Sequence, residues 1–195
     1  MQKLTRDDLL TLEAYSAERK AFRDNVLAHK RNRQVAIGPH ATLYFEDRLT
    51  IQYQIQEMLR IERIFEADAI DEELSAYNPL VPDGNNWKAT FMIEYGDAEE
   101  RRQALIGLLG IENKVWVQVG GHERVFAIAD EDLDRSRDEK TSAVHFLRFE
   151  LNDKMVSAVR DGAAIAMGID LGAYTHTVSA VASGVLESLS ADLAA

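Results

Sequence analysis

Asn86-Trp87-Lys88-Ala89-Thr90-Phe91-Met92-Ile93-Glu94-Tyr95 decides the fold class, because Trp87, Ala89, Phe91, Ile93 and Tyr95 alternate with Lys88, Thr90, Met92 and Glu94. Successive side chains of a strand point to opposite faces, so this period of two predicts a half-buried strand. Upstream of it the apolar residues recur at helical spacing. The change of period at Trp87 therefore separates a helical region from one that contains a sheet.

Downstream, Asp97 opens an amphipathic helix that runs to about residue 109 and is closed by Gly110. Residues 114–119 and 124–129 read as strands around Gly120-Gly121, a hairpin signal. Residues 130–140 predict a charged, mobile connection. A strand over 143–151 and a helix over 153–160 follow. Strands over 163–170 and 174–178 flank Leu171-Gly172, and a helix over 180–193 comes last. Tight glycine turns between strands favour antiparallel pairing. The expected class is α+β: an N-terminal helical half followed by a mainly antiparallel sheet with helices packed on one face.

Upstream, Thr5 with Asp8 looks like a helix cap, and Leu9, Leu12, Tyr15, Phe22 and Val26 carry that helix to about residue 30. Residues 34–37 are a short apolar piece ended by Gly38-Pro39. Residues 44–66 predict one long helix. At 100° per residue, Tyr44, Ile51, Ile55, Met58 and Phe65 share a stripe, with Glu62 near its middle and Arg48 beside it. Glu46, Thr50, Gln54 and Glu57 form a polar ridge on one flank. Gln52, Gln56, Arg60 and Arg63 form a solvated side. A short helix to Tyr77 and a loop through Asn78-Pro79 and Asp83-Gly84 lead into the strand. A single domain over residues 1–195 is expected, helical over 1–77 and sheet-containing over 87–195.

The 195 residues include no cysteine, which excludes a disulfide framework, thiolate metal sites and cysteine nucleophiles. No run of about 18 apolar residues occurs, and the N-terminal sequence lacks a signal-peptide pattern. A cytoplasmic protein with no membrane partner is expected. The net charge of -11 opposes binding to nucleic acid by the surface as a whole. Locally, Arg19, Lys20, Arg23, Lys30, Arg31 and Arg33 face a single acid, Asp24. A solvated helix face is the favoured reading of this run, because no aromatic interleaving or RNA-binding motif accompanies it.

Few motifs carry chemistry. Phosphate-loop, zinc-protease, nucleophile-elbow and EF-hand patterns are absent from the sequence. None of the five histidines stands at helical spacing from another histidine or a glutamate. Glu62 and Glu66, at i and i+4, make half a metal site at most. A carboxylate in an apolar stripe needs a partner, so Glu62 reads either as an ion pair or as a binding group. His145 alternates with Leu147 and Phe149 and reads as a core histidine. Lys88 and Thr90 share a strand face beside Trp87; they suit an anion or carbonyl group, or else the wet face of an edge strand.

Leu43-Tyr44-Phe45-Glu46 with Thr50, residues 54–63 and Asn86-Trp87-Lys88-Ala89-Thr90 resemble the YFE-like and NWKAT-like signatures of a bacterial family of uncharacterised proteins, a domain of unknown function. Ala28-His29-Lys30-Arg31, residues 33–39 and Asp192-Leu193 fit the same pattern, so the resemblance spans nearly the whole chain. It implies no established activity, substrate, cofactor or catalytic residue. It does imply gene neighbourhoods with a rubrerythrin-like protein and an iron–sulfur protein, hence a redox-protein partner and a link to redox or metal stress.

The signatures fall on the polar ridge and the first strand. Glu46, Thr50, Gln54, Glu57, Glu62, Trp87, Lys88 and Thr90 are therefore expected to converge on one pocket. The leading functional reading is a homo-oligomeric accessory or interaction protein. One alternative is an enzyme or small-anion-binding protein using Lys88 with the helix over 46–62. Another is an RNA-associated protein using the basic run over 19–33.

Overall fold

In the computed structural model, which describes residues 2–131 and 139–194, the elements follow the order α1 (Leu12–Lys30), β1 (Gln34–Ala36), β2 (Ala41–Glu46), α2 (Arg48–Glu62), α3 (Ala67–Tyr77), β3 (Asn86–Ile93), α4 (Ala98–Gly107), β4 (Val115–Val119), β5 (Val125–Phe126), β6 (Ile128–Ala129), β7 (Val144–Glu150), α5 (Asp153–Arg160), β8 (Ile165–Leu171), β9 (Tyr174–Val178) and α6 (Ser183–Ser190). The class is α+β. Strands form two sheets, β1-β2-β3-β7-β6 and β5-β4-β8-β9, with every pairing antiparallel. The expected connection over 130–140 lies mostly outside the described residues.

The strand that set the class is central. β3 lies between β2 and β7, so Lys88 and Thr90 are not on a sheet edge. Trp87, Ala89, Phe91 and Ile93 are buried, as the alternation predicted. They join Leu43, Phe45, Leu147 and Phe149 in a core shared with Val115, Val117, Ile165, Met167 and Ile169 of the second sheet. Each fully buried large side chain there contributes ~1.5–3 kcal/mol. α4, α5 and α6 add Leu105, Met155, Val159, Val185 and Leu189 to the same core. The expected strand over 124–129 splits: Val125 and Phe126 pair with β4, while Ile128 and Ala129 cross to β7.

The expected helix over 44–66 needs correction. Ala41, Leu43 and Phe45 alternate into the core, so the chain is a strand through Glu46 and the N-terminal region contains two strands of the first sheet. Asp47 then caps α2: its Oδ1 accepts the Thr50 N–H at 2.9 Å, and the Thr50 Oγ1 accepts the Asp47 N–H at 2.9 Å. The helix stops at Glu62 because Arg63 takes a left-handed conformation, φ 58°. Phe65 consequently lies outside the helix and is 70% exposed. Gln56, expected in solvent, is buried and bonds the backbone of Leu10 through both ends of its amide. Ile51, Ile55 and Leu59 pack with Leu4, Leu74 and Val81 in a second, smaller cluster.

The N-terminal cap also shifts. Thr5 and Asp8 close a short 3-10 turn, and α1 begins later, capped by Thr11. No helix among the described residues is long and apolar enough to cross a membrane.

Candidate functional site

The first sheet has one face in the core and one facing α2 and α3. Strand register aligns Glu46 with Lys88 and Arg148 on this outer face, and Tyr44 with Thr90 and Phe146 beside them. Between this face and the two helices lies a groove of about 1000 Å³. Lys88, Phe146 and Arg148 contribute its sheet side. α2 contributes Gln54, Met58 and Glu62, and α3 contributes Glu73, Ala76 and Tyr77.

Both cations of the groove are already matched. The Lys88 Nζ donates to Pro79 O at 2.8 Å, Val81 O at 3.1 Å and Asp83 Oδ2 at 2.7 Å, which uses all three ammonium hydrogens. Burial pulls the Lys88 pKa down against the attraction of Asp83. Arg148 forms a two-pronged pair with Glu131 at 2.8 and 2.9 Å and also bonds Glu150. Glu62 and Glu73, in contrast, have no ion-pair partner among the described residues. Burial raises the pKa of the Glu73 carboxyl, and the nearby charges of Glu62 and Glu72 raise it further. Burial and then Glu73 do the same to the Tyr77 hydroxyl.

Next to Lys88 in the sheet, a buried chain of polar groups leads away from the groove. The Glu46 Oε1 accepts from Thr90 Oγ1 at 2.7 Å, and its Oε2 from Thr50 Oγ1 at 2.6 Å. The neighbouring Asp47 accepts from His29 Nε2 at 2.5 Å, with Arg33 Nε at 3.4 Å. Burial alone would raise the Asp47 pKa; the Arg33 charge, the Thr50 N–H and His29 together hold it below the usual carboxylate range. Arg33 in turn forms a two-pronged pair with Asp192.

Of the residues expected to converge, Gln54, Glu62 and Lys88 line the groove, and Glu46, Thr50 and Thr90 form the adjoining hydrogen-bonded chain. Trp87 points to the opposite face, where its Nε1 donates to Leu189 O at 2.9 Å. Glu57 turns to α1 and accepts from Tyr15 at 2.6 Å and Arg19 at 2.7 Å. Glu62 is exposed, so it carries no buried charge that demands a partner. Glu62 ends α2 and Glu66 stands at the position before α3, so the two do not share a helix face. No group of three His, Asp or Glu among the described residues is placed to hold a metal ion. His145 is buried, with Nδ1 2.6 Å from Asp130 and Nε2 2.9 Å from Thr141.

The basic run over 19–33 is not one surface: Arg19 pairs with Glu57, Lys20 with Asp24, and Arg33 is buried. Sequence reasoning missed Glu73, Tyr77, Phe146 and Arg148. The i, i+4 spacing of Glu73 and Tyr77 and the alternation of residues 144–150 were the available signals. It also missed Asp47, for which the Asp47-x-x-Thr50 capping pattern was the signal.

The family model described as "Protein of unknown function (DUF3501)" matches residues 3–193. A crystal structure from Burkholderia pseudomallei K96243, of a novel protein of unknown function, is 52% identical to the chain with a TM-score of 0.94. It covers 99% of this chain and 100% of that one. No curated protein matches the chain.

Proposed function

We propose, for a chain that belongs to the DUF3501 family of proteins of unknown function, a role as a ligand-binding accessory protein acting through the groove between the first sheet, α2 and α3. The observation that carries this reading is the groove itself. Its volume of about 1000 Å³ is at the upper end of small-ligand pockets, and Met58, Leu80 and Phe146 give it the mostly apolar lining that such sites have. Its fixed polar contacts hold the walls in place, which pre-organises the space. The occupied ammonium of Lys88 speaks against the small-anion alternative, and the dispersal of the basic run speaks against an RNA contact.

The proposal includes a cytoplasmic setting, self-association and a redox-protein partner. The family resemblance is the support for the partner.

The test uses N-phenyl-1-naphthylamine, a dye uncharged at neutral pH that fluoresces in apolar surroundings. Saturable fluorescence with the native protein is expected, and Ala76→Trp, which fills the groove from an exposed position of α3, abolishes it while the circular dichroism is unchanged. No saturable signal, or one indifferent to the tryptophan, would refute the reading.

A further inference from the structure

We infer that the groove takes an organic cation, an amine with an aliphatic or aromatic body, whose ammonium lies between Glu62 and Glu73. The inference rests on the groove being a ligand site, as proposed above. Among the groups lining the groove, Lys88 and Arg148 are neutralised by Asp83, Glu131 and Glu150. Lys3 also pairs with Asp83, so three cations balance those three carboxylates, and the charge left over belongs to Glu62 of α2 and Glu73 of α3. The Glu62 charge lies close enough to raise the proton affinity of Glu73, so a cation placed between the two side chains relieves that repulsion.

Apolar surface from Met58, Leu80 and Phe146 lies in the same groove, so the complementary molecule has a charged end and an apolar end. Tyr77 lines the groove with its hydroxyl near both carboxylates, so an aromatic side chain accompanies the charged end of the site. An anionic ligand would meet the two unpaired carboxylates and find no free cation, because each donor of Lys88 already has its acceptor.

The probes are 4-phenylbutylamine, 4-phenylbutan-1-ol and 4-phenylbutyrate, of one shape and three charges, titrated calorimetrically into the full chain and by displacement of the naphthylamine dye. The amine is expected to bind tightest, with each carboxylate contributing up to about 5-fold over the alcohol, and the carboxylate probe weakest. Glu62→Gln and Glu73→Gln each weaken the amine and leave the alcohol unchanged; Glu62 is exposed, so the first substitution leaves the fold intact. Equal binding of amine and alcohol, or tighter binding of the carboxylate probe, overturns the cation inference while the groove remains a ligand site. Failure of all three, together with a dye signal indifferent to Ala76→Trp, overturns both.

Discussion

Arg33 and Asp192 stand 159 positions apart and form a two-pronged ion pair, at 3.2 and 2.6 Å, with side chains only 2% and 3% exposed. The guanidinium also donates to Phe45 O and Glu46 O, both at 3.0 Å, and to Ser188. One arginine thus ties the turn after α1 to the end of β2 and to α6. Burial pushes the Asp192 carboxyl up to about 6 despite the arginine, so desolvation offsets much of the attraction.

Asp192→Ala removes the two-pronged partner of that buried guanidinium and leaves it only the longer contact to Asp47, at 3.4 Å. A loss of about 3–5 kcal/mol in unfolding free energy is expected from urea denaturation. Arg33→Met combined with Asp192→Leu is expected to cost less than the sum of the two single changes, because each single change leaves a buried charged group without its two-pronged partner. Additive losses would mean that the two groups are not coupled.

Acid lability is expected from Glu57. Arg19, in a two-pronged contact at 2.7 Å, lowers the Glu57 carboxyl from 4.5 to about 2, against burial and with help from Tyr15. A folded-state pKa below the unfolded value gives stability that is complete above the unfolded value and lost as pH falls from 4.5 toward about 2. Solvent reaches Arg19, so the contribution is on the order of 1 kcal/mol. Glu57→Gln is therefore expected to lower the urea midpoint at about pH 6 and to make little difference at about pH 2, the floor of that titration. An equal deficit at both pH values would contradict the assignment.

The alternation around Trp87 was legible because a half-buried central strand imposes a strict period of two, and turn glycines marked most of the later strands. The join at Asp47 was obscured by geometry. Tyr44, Ile51 and Ile55 fall on one helical stripe by coincidence of spacing, although Ala41, Leu43 and Phe45 already alternate. For the candidate site, the outer face of β3 was legible as Lys88 and Thr90. The opposite wall was only half legible: Gln54 and Glu62 lie on α2, and the i, i+4 spacing of Glu73 and Tyr77 puts them on one face of α3, but the packing that brings that face to the groove is not encoded locally. Arg33 and Asp192 show the same limit, since no spacing rule connects residues so distant in sequence.

Gly168 sits directly beneath the Trp116 ring. A Cβ there would lie 2.3 Å from Trp116 Cζ2 and 2.9 Å from His176 O. The ring is buried, and the Arg124 guanidinium stacks on it at 3.9 Å while pairing with Asp170, so a shift of the ring disturbs that stack as well. Gly168→Ala is expected to cost about 1–3 kcal/mol and to change tryptophan fluorescence, since a small residue in a strand here permits a close approach. An unchanged melting temperature and emission would show that the sheet can shift to admit the methyl group.

Lys88 provides the sharpest separation between a structural and a binding role. Lys88→Met keeps the stem and removes the ammonium. Two of its three acceptors then retain a partner, because Lys3 Nζ also reaches Val81 O at 2.7 Å and Asp83 Oδ1 at 2.8 Å. The third, the carbonyl of exposed Pro79, can turn to water. The single change is therefore expected to cost only about 1–2 kcal/mol. Lys3→Met combined with Lys88→Met is expected to cost more than the sum of the two, since each lysine covers for the other. Dye binding in the groove should persist in Lys88→Met. If the ammonium were instead a receptor for anions, the same substitution would leave stability nearly unchanged and selectively abolish binding of 4-phenylbutyrate, so calorimetry on this one variant decides between the two roles.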